Sequence, residues 1–399
     1  MLNDKNMYLA RFFIGSNKDL VKLSIDTGSS DFWVMDSDVI CLPHTPRRAQ
    51  YEIWTSCSCD DLAAPTEMIE STCISSGALR VNKSTTFEKL KDKYSDTHLV
   101  GGKVATGNLG RDDVWFANES LQMPFGVINV TNKDEGVLGL GFPASTSKNL
   151  SFPYELKKKG LIDRAMYSLY FNSTKSKIGS LLFGGIDHAK YHSALKTLPA
   201  VRKNNSANVA VGVDEISMIM NGTKGVVIGD TKTTYMLDTS SPISRFPLRV
   251  VDILTGALGG RIYKETNELI VDQCPEFLEF DINFDGKIIT IPGTAFMSKS
   301  IGEHCLIRLQ VDDTTPAFGQ DFLRFMYVVV DLEEEQVSVD NWKFTPDYGI
   351  ELLPSVGVNR SHKVEYEGME KVESYGNLHS VPTEFMIAVL MWVVILVIS

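Results

Sequence analysis

The sequence predicts a mostly β protein built from two core-bearing halves, and three observations support this. The chain has 399 residues, of which 43% are apolar and 10% aromatic, which is enough for more than one hydrophobic core. Short apolar segments separated by glycine and polar turns recur along the chain, as in β-rich proteins. A short motif centred on an aspartate occurs once in each half.

The first half begins with strands. Residues 7–34 contain two apolar strands around a turn at 15–18, and shorter strands follow. A helix is predicted over 154–159, because Ser151 and Pro153 form a typical start and Gly160 a typical end. A polar segment over 42–82 carries three of the six cysteines and no periodic pattern, which predicts a disulfide-bound surface loop.

The pattern begins again after about residue 188. A strand is predicted over 235–237, a helix over 247–254 and short strands from there to about 342. The polar segment 345–384 is interpreted as a stalk. The predicted organisation is therefore an N-terminal lobe over 1–187, a C-terminal lobe over 188–344, the stalk, and an apolar tail over 385–399.

Charge and cysteine usage exclude some classes of protein. The net charge of −11 argues against nucleic acid as the main partner, since phosphate binding needs clustered Lys and Arg. The negative charge is compatible with a protein that functions at acidic pH, with one that attracts basic peptides, or with ordinary solubility. The cysteines lack the paired spacing of a zinc site, so no metal is predicted. Eight N-glycosylation sequons favour the secretory route; they lie at Asn82, Asn118, Asn129, Asn149, Asn172, Asn204, Asn221 and Asn359.

The C-terminal tail predicts a lipid anchor. Residues 385–398 are an unbroken run of 14 apolar residues, shorter than the roughly 20 that cross a membrane. A small residue, a polar spacer and a short apolar tail form a glycosylphosphatidylinositol signal, with Ser374 as the attachment site and 377–384 as the spacer. The alternative is a tail-anchored helix. The anchor predicts the outer face of the plasma membrane or the cell wall, although the first residues lack a signal peptide's apolar core.

The first aspartate motif runs from Ile25 to Ser30 after an apolar strand. It places Asp26 on a tight turn at the strand end. Gly28 allows close approach of the backbone, and the hydroxyls of Thr27 and Ser29 are expected to hold the carboxylate.

The second motif repeats this logic as Asp238-Thr239-Ser240-Ser241. Two such loops facing each other would bring the carboxylates of Asp26 and Asp238 together, and one of the two would then keep a proton. The charged carboxylate activates water, and the protonated one polarises a carbonyl group.

Two carboxylates that share a proton are the known active-site pair of aspartic peptidases, and the chain resembles a pepsin-family peptidase, most closely a fungal yapsin, over about 7–342. Supporting stretches lie at 136–143, 167–170, 182–187, 318–323 and 327–331. The resemblance implies two β lobes with a substrate cleft between them, and Asp26 and Asp238 as the catalytic dyad. It also implies peptide or protein substrates, cleavage next to Lys or Arg, and no metal or organic cofactor.

The resemblance further implies a disulfide between Cys274 and Cys305. The other four cysteines (Cys41, Cys57, Cys59 and Cys73) would then pair within the first lobe in one of three ways. A chain that supplies both carboxylates itself is expected to act as a monomer.

Two positions depart from the family pattern. Ser240 stands where the family has glycine, which adds a Cβ where the backbone approaches closely. The family's flap tyrosine covers the dyad and donates a hydrogen bond. Counting back from Gly107 puts Leu99 in its place, with His98 adjacent, and leaves Tyr94 too far upstream unless the hairpin changes register.

Three hypotheses remain open. The first is an active aspartic endopeptidase. The second is a catalytically impaired relative that binds peptides at the cell surface without cutting them. The third is a wall-anchored structural glycoprotein, which accounts for the sequons and the tail but leaves both aspartate motifs unexplained.

Overall fold

A computed structural model describes residues 8–42, 72–99, 103–116, 119–143, 150–171, 179–220, 223–229, 232–263, 268–299, 304–355, 362–363 and 394–398. Its contacts divide the chain into two units. The larger unit contains residues 1–10, 25–30 and 139–399, and the smaller unit contains 11–24 and 31–138. Strands dominate in both, which confirms the predicted mostly β, two-lobed fold class.

The smaller unit is built around a run of adjacent strands. The strands of the first 139 residues are β1 (Leu9–Ile14), β2 (Asp19–Asp26), β3 (Phe32–Cys41), β4 (Glu88–Leu99), β5 (Lys103–Phe116), β6 (Glu119–Thr131) and β7 (Gly136–Gly139). They pair in the order β7-β3-β6-β5-β4, with β3 and β6 parallel. Phe32 lies between Phe12 and Phe125, at ring-centroid distances of 5.3 and 5.9 Å, and forms the aromatic part of this unit's core.

Among the described residues, the larger unit carries the other strands and three α-helices. The strands are β8 (Met166–Phe171), β9 (Gly179–Phe183), β10 (Gly185–Asp187), β11 (Lys196–Pro199), β12 (Ala210–Val213), β13 (Glu215–Met220), β14 (Thr223–Gly229), β15 (Thr233–Leu237), β16 (Arg245–Phe246), β17 (Arg261–Tyr263), β18 (Glu268–Val271), β19 (Leu278–Phe284), β20 (Lys287–Pro292), β21 (Met297–Lys299), β22 (Cys305–Ile307), β23 (Gln310–Val311), β24 (Ala317–Phe318), β25 (Met326–Asp331), β26 (Gln336–Asn341), β27 (Ile350–Leu352), β28 (His362–Lys363) and β29 (Val394–Ile398). The helices are α1 (Phe152–Lys158), α2 (Leu248–Leu258) and α3 (Gln320–Leu323).

The larger unit's strands form several groups. One runs in the order β11-β26-β25-β8-β9-β29, and a five-stranded sheet has the order β12-β15-β24-β16-β23. Two four-stranded sheets have the orders β14-β13-β19-β20 and β17-β18-β22-β21. The five-stranded sheet matters most for the site, because β15 ends immediately before Asp238 and β16 begins at Arg245.

An aromatic cluster anchors this five-stranded sheet. The rings of Tyr235 and Phe318 stack with their centroids 4.6 Å apart, and Phe246 and Phe322 pack against Phe318. All four side chains are buried. The ends of β15, β16 and β24 are therefore held together, which limits movement of the loops that leave them.

Both predicted helices are confirmed. Helix α1 has Ser151 at its N-cap position and ends before Gly160, whose φ of +71° is accessible to glycine without strain. Helix α2 follows Pro247 and extends four residues beyond the predicted end at residue 254, to Leu258. It stops there because Gly259 adopts the left-handed conformation.

Two predicted boundaries differ from the structure. Residues 139–187 group with the later part of the chain, because β8 pairs with β25, so the contact boundary lies near 139 and not at 187. The segment after 344 does not begin as a free stalk, because β27 pairs with β10 and Ile350 is buried. Lys190 also donates hydrogen bonds to the carbonyl oxygens of Thr345 and Asp347.

The end of the apolar tail is a strand. Its last residues, 394–398, pair antiparallel with β9, and Ile398 lies opposite Ala10 of β1. Residues 385–393 and Ser374 lie outside the described residues, so the lipid anchor stays a prediction. Within the part of the chain that the structure describes, no helix has the length and apolar character needed to span a membrane.

Two disulfides are present among the described residues. Cys274 is bonded to Cys305, the pair that the family resemblance implies. Cys41 is bonded to Cys73, which selects one of the three pairings that were open. Cys57 and Cys59 lie outside the described residues.

Candidate active site

The first loop holds Asp26 with donors from its own turn. The side chain of Asp26 is 5% exposed and follows the last apolar residues of β2. Its Oδ1 accepts a hydrogen bond from the Gly28 amide at 2.8 Å, and its Oδ2 accepts one from the Ser29 hydroxyl at 2.9 Å. Ser29 therefore supports the carboxylate as predicted.

The second loop holds Asp238 more tightly. Its side chain is 1% exposed, and its Oδ1 accepts hydrogen bonds from the amide and the hydroxyl of Ser240 at 3.0 and 2.7 Å. Its Oδ2 accepts a charged hydrogen bond from Nη2 of Arg245 at 2.9 Å. Ser241 was predicted to support this carboxylate, but its hydroxyl donates to the carbonyl of Ile243 instead.

The two loops are joined by a reciprocal pair of threonines. The amide of Thr27 donates to the Thr239 hydroxyl, and the amide of Thr239 donates to the Thr27 hydroxyl, both at 3.1 Å. Each hydroxyl also donates to the carbonyl before the opposite aspartate: Thr27 to Leu237, and Thr239 to Ile25 at 2.8 Å. The prediction that the Thr27 hydroxyl holds the neighbouring Asp26 carboxylate is therefore wrong. This hydroxyl connects the two loops instead.

Backbone hydrogen bonds seat this pair of loops in the larger unit. The Leu140 amide donates to the carbonyl of Asp26, and the Asp238 amide donates to that of Phe318, both at 2.8 Å. Gln320 donates through its side-chain amide to the carbonyl of Thr239 at 2.6 Å. Both aspartates and both threonines belong to one compact unit, so their relative position follows from that unit's own packing.

The serine that replaces the family glycine fits its loop. Ser240 has no positive φ, and neither does Gly28 at the equivalent position of the first loop. A Cβ at Gly28 would lie 2.5 Å from the terminal methyl of Met236, whereas Ser240 uses its extra atoms for a second hydrogen bond to Asp238. The substitution therefore adds a donor to the carboxylate without backbone strain.

A buried carboxyl group lies behind the second loop. Asp321 accepts hydrogen bonds from the amide and the hydroxyl of Ser244, at 3.1 and 2.6 Å. Burial raises the pKa of Asp321 to about 6, although the hydrogen bonds from Ser244 and Phe322 and the charge of Arg324 oppose this. The same Ser244 hydroxyl accepts a bond from the Gly319 amide, so Asp321 fixes the segment between Asp238 and Arg245.

Tyr167 is a second buried titratable group in this unit. Burial, and then the charge of Asp26, raise the pKa of Tyr167 well above its ordinary value. The phenol is therefore neutral at acidic and neutral pH, where it contributes no charge to the site.

The flap hairpin has a different register from the predicted one. Strands β4 and β5 pair with Tyr94 opposite Gly107, and irregularities on either side of this stretch shift the count. Leu99 instead pairs with Lys103, and the side chains of His98 and Leu99 lie outside the described part of the structure. Tyr94, which is 6% exposed, is therefore the residue of β4 that lies opposite Gly107.

Sequence reasoning located both carboxylates but missed their partners. It did not anticipate the threonine exchange or the roles of Gln320 and Asp321. Arg245 was also missed, although a single arginine between Ser244 and Phe246 in an otherwise apolar strand is an available signal. Among the described residues, no three His, Cys, Asp or Glu side chains cluster as a metal site requires.

Comparison with known proteins gives one consistent family. The model of the eukaryotic aspartyl protease family matches residues 7–341. Secreted aspartic protease 10 of Candida albicans is 30% identical over 360 residues, covering 88% of this chain and 75% of that protein. Candidapepsin-4 of the same organism is 30% identical over 371 residues, covering 90% of this chain and 80% of that protein.

Removing the Thr27 hydroxyl should destabilise the protein. Thr27→Val leaves the carbonyl of Leu237 and the amide of Thr239 buried without partners, so we expect a loss of about 1–3 kcal/mol of unfolding free energy for each group. Urea unfolding of the two variants measures this, with Thr27→Ser as the matched control that keeps the hydroxyl. Equal stability of the valine and serine variants would contradict the joining role.

Asp321 should make the fold less stable as the pH rises from about 4 to 6. Its pKa is about 6 in the folded protein and about 4 when unfolded, so the folded state binds more protons in that window. Its stabilising effect is complete below pH 4 and decreases by up to about 3 kcal/mol by pH 6. Urea unfolding across this range should show a smaller decrease for Asp321→Asn than for the wild type. Exposed Asp92→Asn should leave the slope unchanged, and a wild-type slope in Asp321→Asn would contradict the assignment.

Proposed function

The chain belongs to the eukaryotic aspartyl protease family, and on this premise we propose that it is an aspartic endopeptidase that uses Asp26 and Asp238 as its catalytic dyad. The single observation that carries the proposal is the reciprocal threonine exchange between two loops that each present a buried carboxylate. A dyad needs two carboxylates held at a constant separation. The exchange supplies this constraint directly behind them.

The proposed chemistry follows from one proton shared by two carboxylates. The ionised member removes a proton from water, which attacks the carbonyl carbon of the peptide bond. The protonated member gives its proton to the carbonyl oxygen as the tetrahedral intermediate forms. The proton taken from water then passes to the amide nitrogen, the C–N bond breaks, and a carboxylic acid and an amine are released. Both carboxylates come from one chain, so a monomer is expected to be sufficient.

Asp26→Asn should abolish turnover while leaving the fold intact. An amide cannot act as the base, so we expect kcat/KM to fall by at least about a hundredfold. Wild-type activity should be highest in acid and fall as the shared proton is lost. The measurement is hydrolysis of peptides between pH 3 and 8. Asp92→Asn, at an exposed position of β4, is the matched control. Unchanged turnover in Asp26→Asn would remove the dyad assignment.

The substrate class is proposed to be peptides with Lys or Arg next to the cleaved bond. The support for this is the resemblance to yapsins and the net charge of −11, which attracts basic peptides. The hydrolysis assay therefore includes paired peptides that differ only by Lys or norleucine at that position. Equal rates for the two peptides would argue against a basic preference.

Tyr94 is proposed as the counterpart of the family's flap tyrosine, in place of Leu99. The support is its pairing opposite Gly107. Tyr94→Phe removes only the hydroxyl, so we expect kcat/KM to fall about tenfold, the effect of one lost hydrogen bond in the transition state. Leu99→Ala is the matched control and should change kcat/KM little. The reverse result would restore Leu99 to that position.

The protein is proposed to act outside the cell, held there by a glycosylphosphatidylinositol anchor at Ser374. The support is the similarity to secreted aspartic protease 10 of Candida albicans, the eight sequons, and the spacer and apolar tail of the sequence. A phospholipase specific for this anchor should release the protein from membranes of cells that express it. Protein that remains in the membrane fraction after this treatment would favour a tail-anchored helix.

A peptide-binding protein without turnover is the second candidate function. The observation that favours it is the ion pair between Arg245 and Asp238, which has no counterpart on Asp26 among the described contacts. A peptide analogue in which a tetrahedral carbon bearing a hydroxyl replaces the scissile carbonyl group separates the two functions. Binding of this analogue without cleavage of the parent peptide would select the second.

A further inference from the structure

The two carboxylates of the candidate dyad differ in the donor at one oxygen. Oδ2 of Asp26 accepts from the neutral hydroxyl of Ser29, whereas Oδ2 of Asp238 accepts from the guanidinium of Arg245. The positions of the two loops correspond one to one, and Ser241 stands at the position of Ser29. Ser241 is therefore the expected donor on the second side. Its hydroxyl donates to Ile243 instead, and a permanent cation takes the place of a neutral donor.

Arg245 is held firmly where it contacts Asp238. It starts β16, which is fixed by the aromatic cluster through Phe246, and only 7% of the residue is exposed. Its Nε donates to the carbonyl of Thr315 at 3.3 Å and lies 3.6 Å from Oδ2 of Asp312. The guanidinium therefore has acceptors on two sides, both of which favour its observed position.

Asp312 is the more distant of the two carboxylates that face the guanidinium. Burial opposes the charge of Asp312, but hydrogen bonds from Thr314 and Thr315 outweigh it and lower its pKa to about 2. Its Oδ1 and Oδ2 are thus already engaged by Thr314 and Thr315. The contact of Arg245 with Asp238, at 2.9 Å, is the shorter of its two carboxylate contacts.

We propose that Arg245 is an internal lock on Asp238 that keeps the peptidase in a low-activity state. In a working dyad, a shared proton balances the charge of two carboxylates and polarises the substrate carbonyl. Here the guanidinium donates to Oδ2 of Asp238 at 2.9 Å, so an oxygen that a shared proton or a substrate would need already holds a fixed donor. The lock rests on the proposed function, because it acts on the dyad.

Neutral replacements of Arg245 should therefore increase activity. We expect Arg245→Gln and Arg245→Leu to raise kcat/KM at acidic pH at least tenfold, mainly through kcat, and Asp26→Asn to abolish the gained activity. Arg245→Lys keeps the positive charge and should stay near the wild-type rate. Arg164→Gln, which breaks the ion pair with Asp331 elsewhere in the same unit, is the matched control and should not activate the protein.

The outcomes separate the lock from the proposed function. Wild-type activity that depends on Asp26, with folded neutral variants no faster than the wild type, would overturn the lock and leave the peptidase assignment intact. Hydrolysis by the neutral variants but not by the wild type would support both. Absence of hydrolysis by both the wild type and the folded neutral variants would overturn both proposals.

A double-mutant cycle tests the ion pair without reference to activity. Urea midpoints are compared for the wild type, Arg245→Leu, Asp238→Asn and the double variant. The lock predicts that the double variant loses less stability than the sum of the two single variants, because each single change breaks the same contact. Additive losses would overturn it, and so would neutral variants that fail to fold, since Arg245 would then serve only the fold.

Discussion

The exchange of hydrogen bonds between Thr27 and Thr239 is the interaction on which the rest of the site depends. Each threonine uses its amide and hydroxyl to reach the opposite loop, so four polar groups that burial would otherwise leave unpaired are satisfied at once. The two loops that carry Asp26 and Asp238 are thereby joined one residue away from each carboxylate. A dyad is possible here because this constraint is built from main-chain geometry and does not depend on surface contacts.

Around this constraint the two halves of the site are alike in backbone but not in charge. Both aspartates accept an amide hydrogen bond from two residues later, and both adjacent strands are anchored in apolar packing. Among the described contacts, the second carboxylate accepts from three donors, one of them a cation, whereas the first accepts from two neutral donors. A family fold can therefore be retained while a single arginine gives the second carboxylate a charged donor that the first lacks among the described contacts.

Contacts between residues that lie far apart in the sequence explain where the predictions from the sequence were wrong. The stalk was placed from residue 345 because its composition is polar, but β27 buries Ile350 and satisfies its polar groups against β10. Counting back from Gly107 assumes a regular hairpin, but strands β4 and β5 contain irregularities and Tyr94 pairs opposite Gly107. In both cases local composition and spacing were correct, but pairing partners decided the outcome.

The sequence by itself determined the fold class, the two helices and the two aspartate motifs. Periodicity, capping residues and short motifs are local, and local patterns can be interpreted without coordinates. Only the tertiary structure decided what surrounds the carboxylates. Thr27 meets Thr239 across 212 positions of the chain, and Arg245 turns back to Asp238 through the packing of β16 against β24. Such contacts depend on how strands assemble, and no pattern along one segment encodes them.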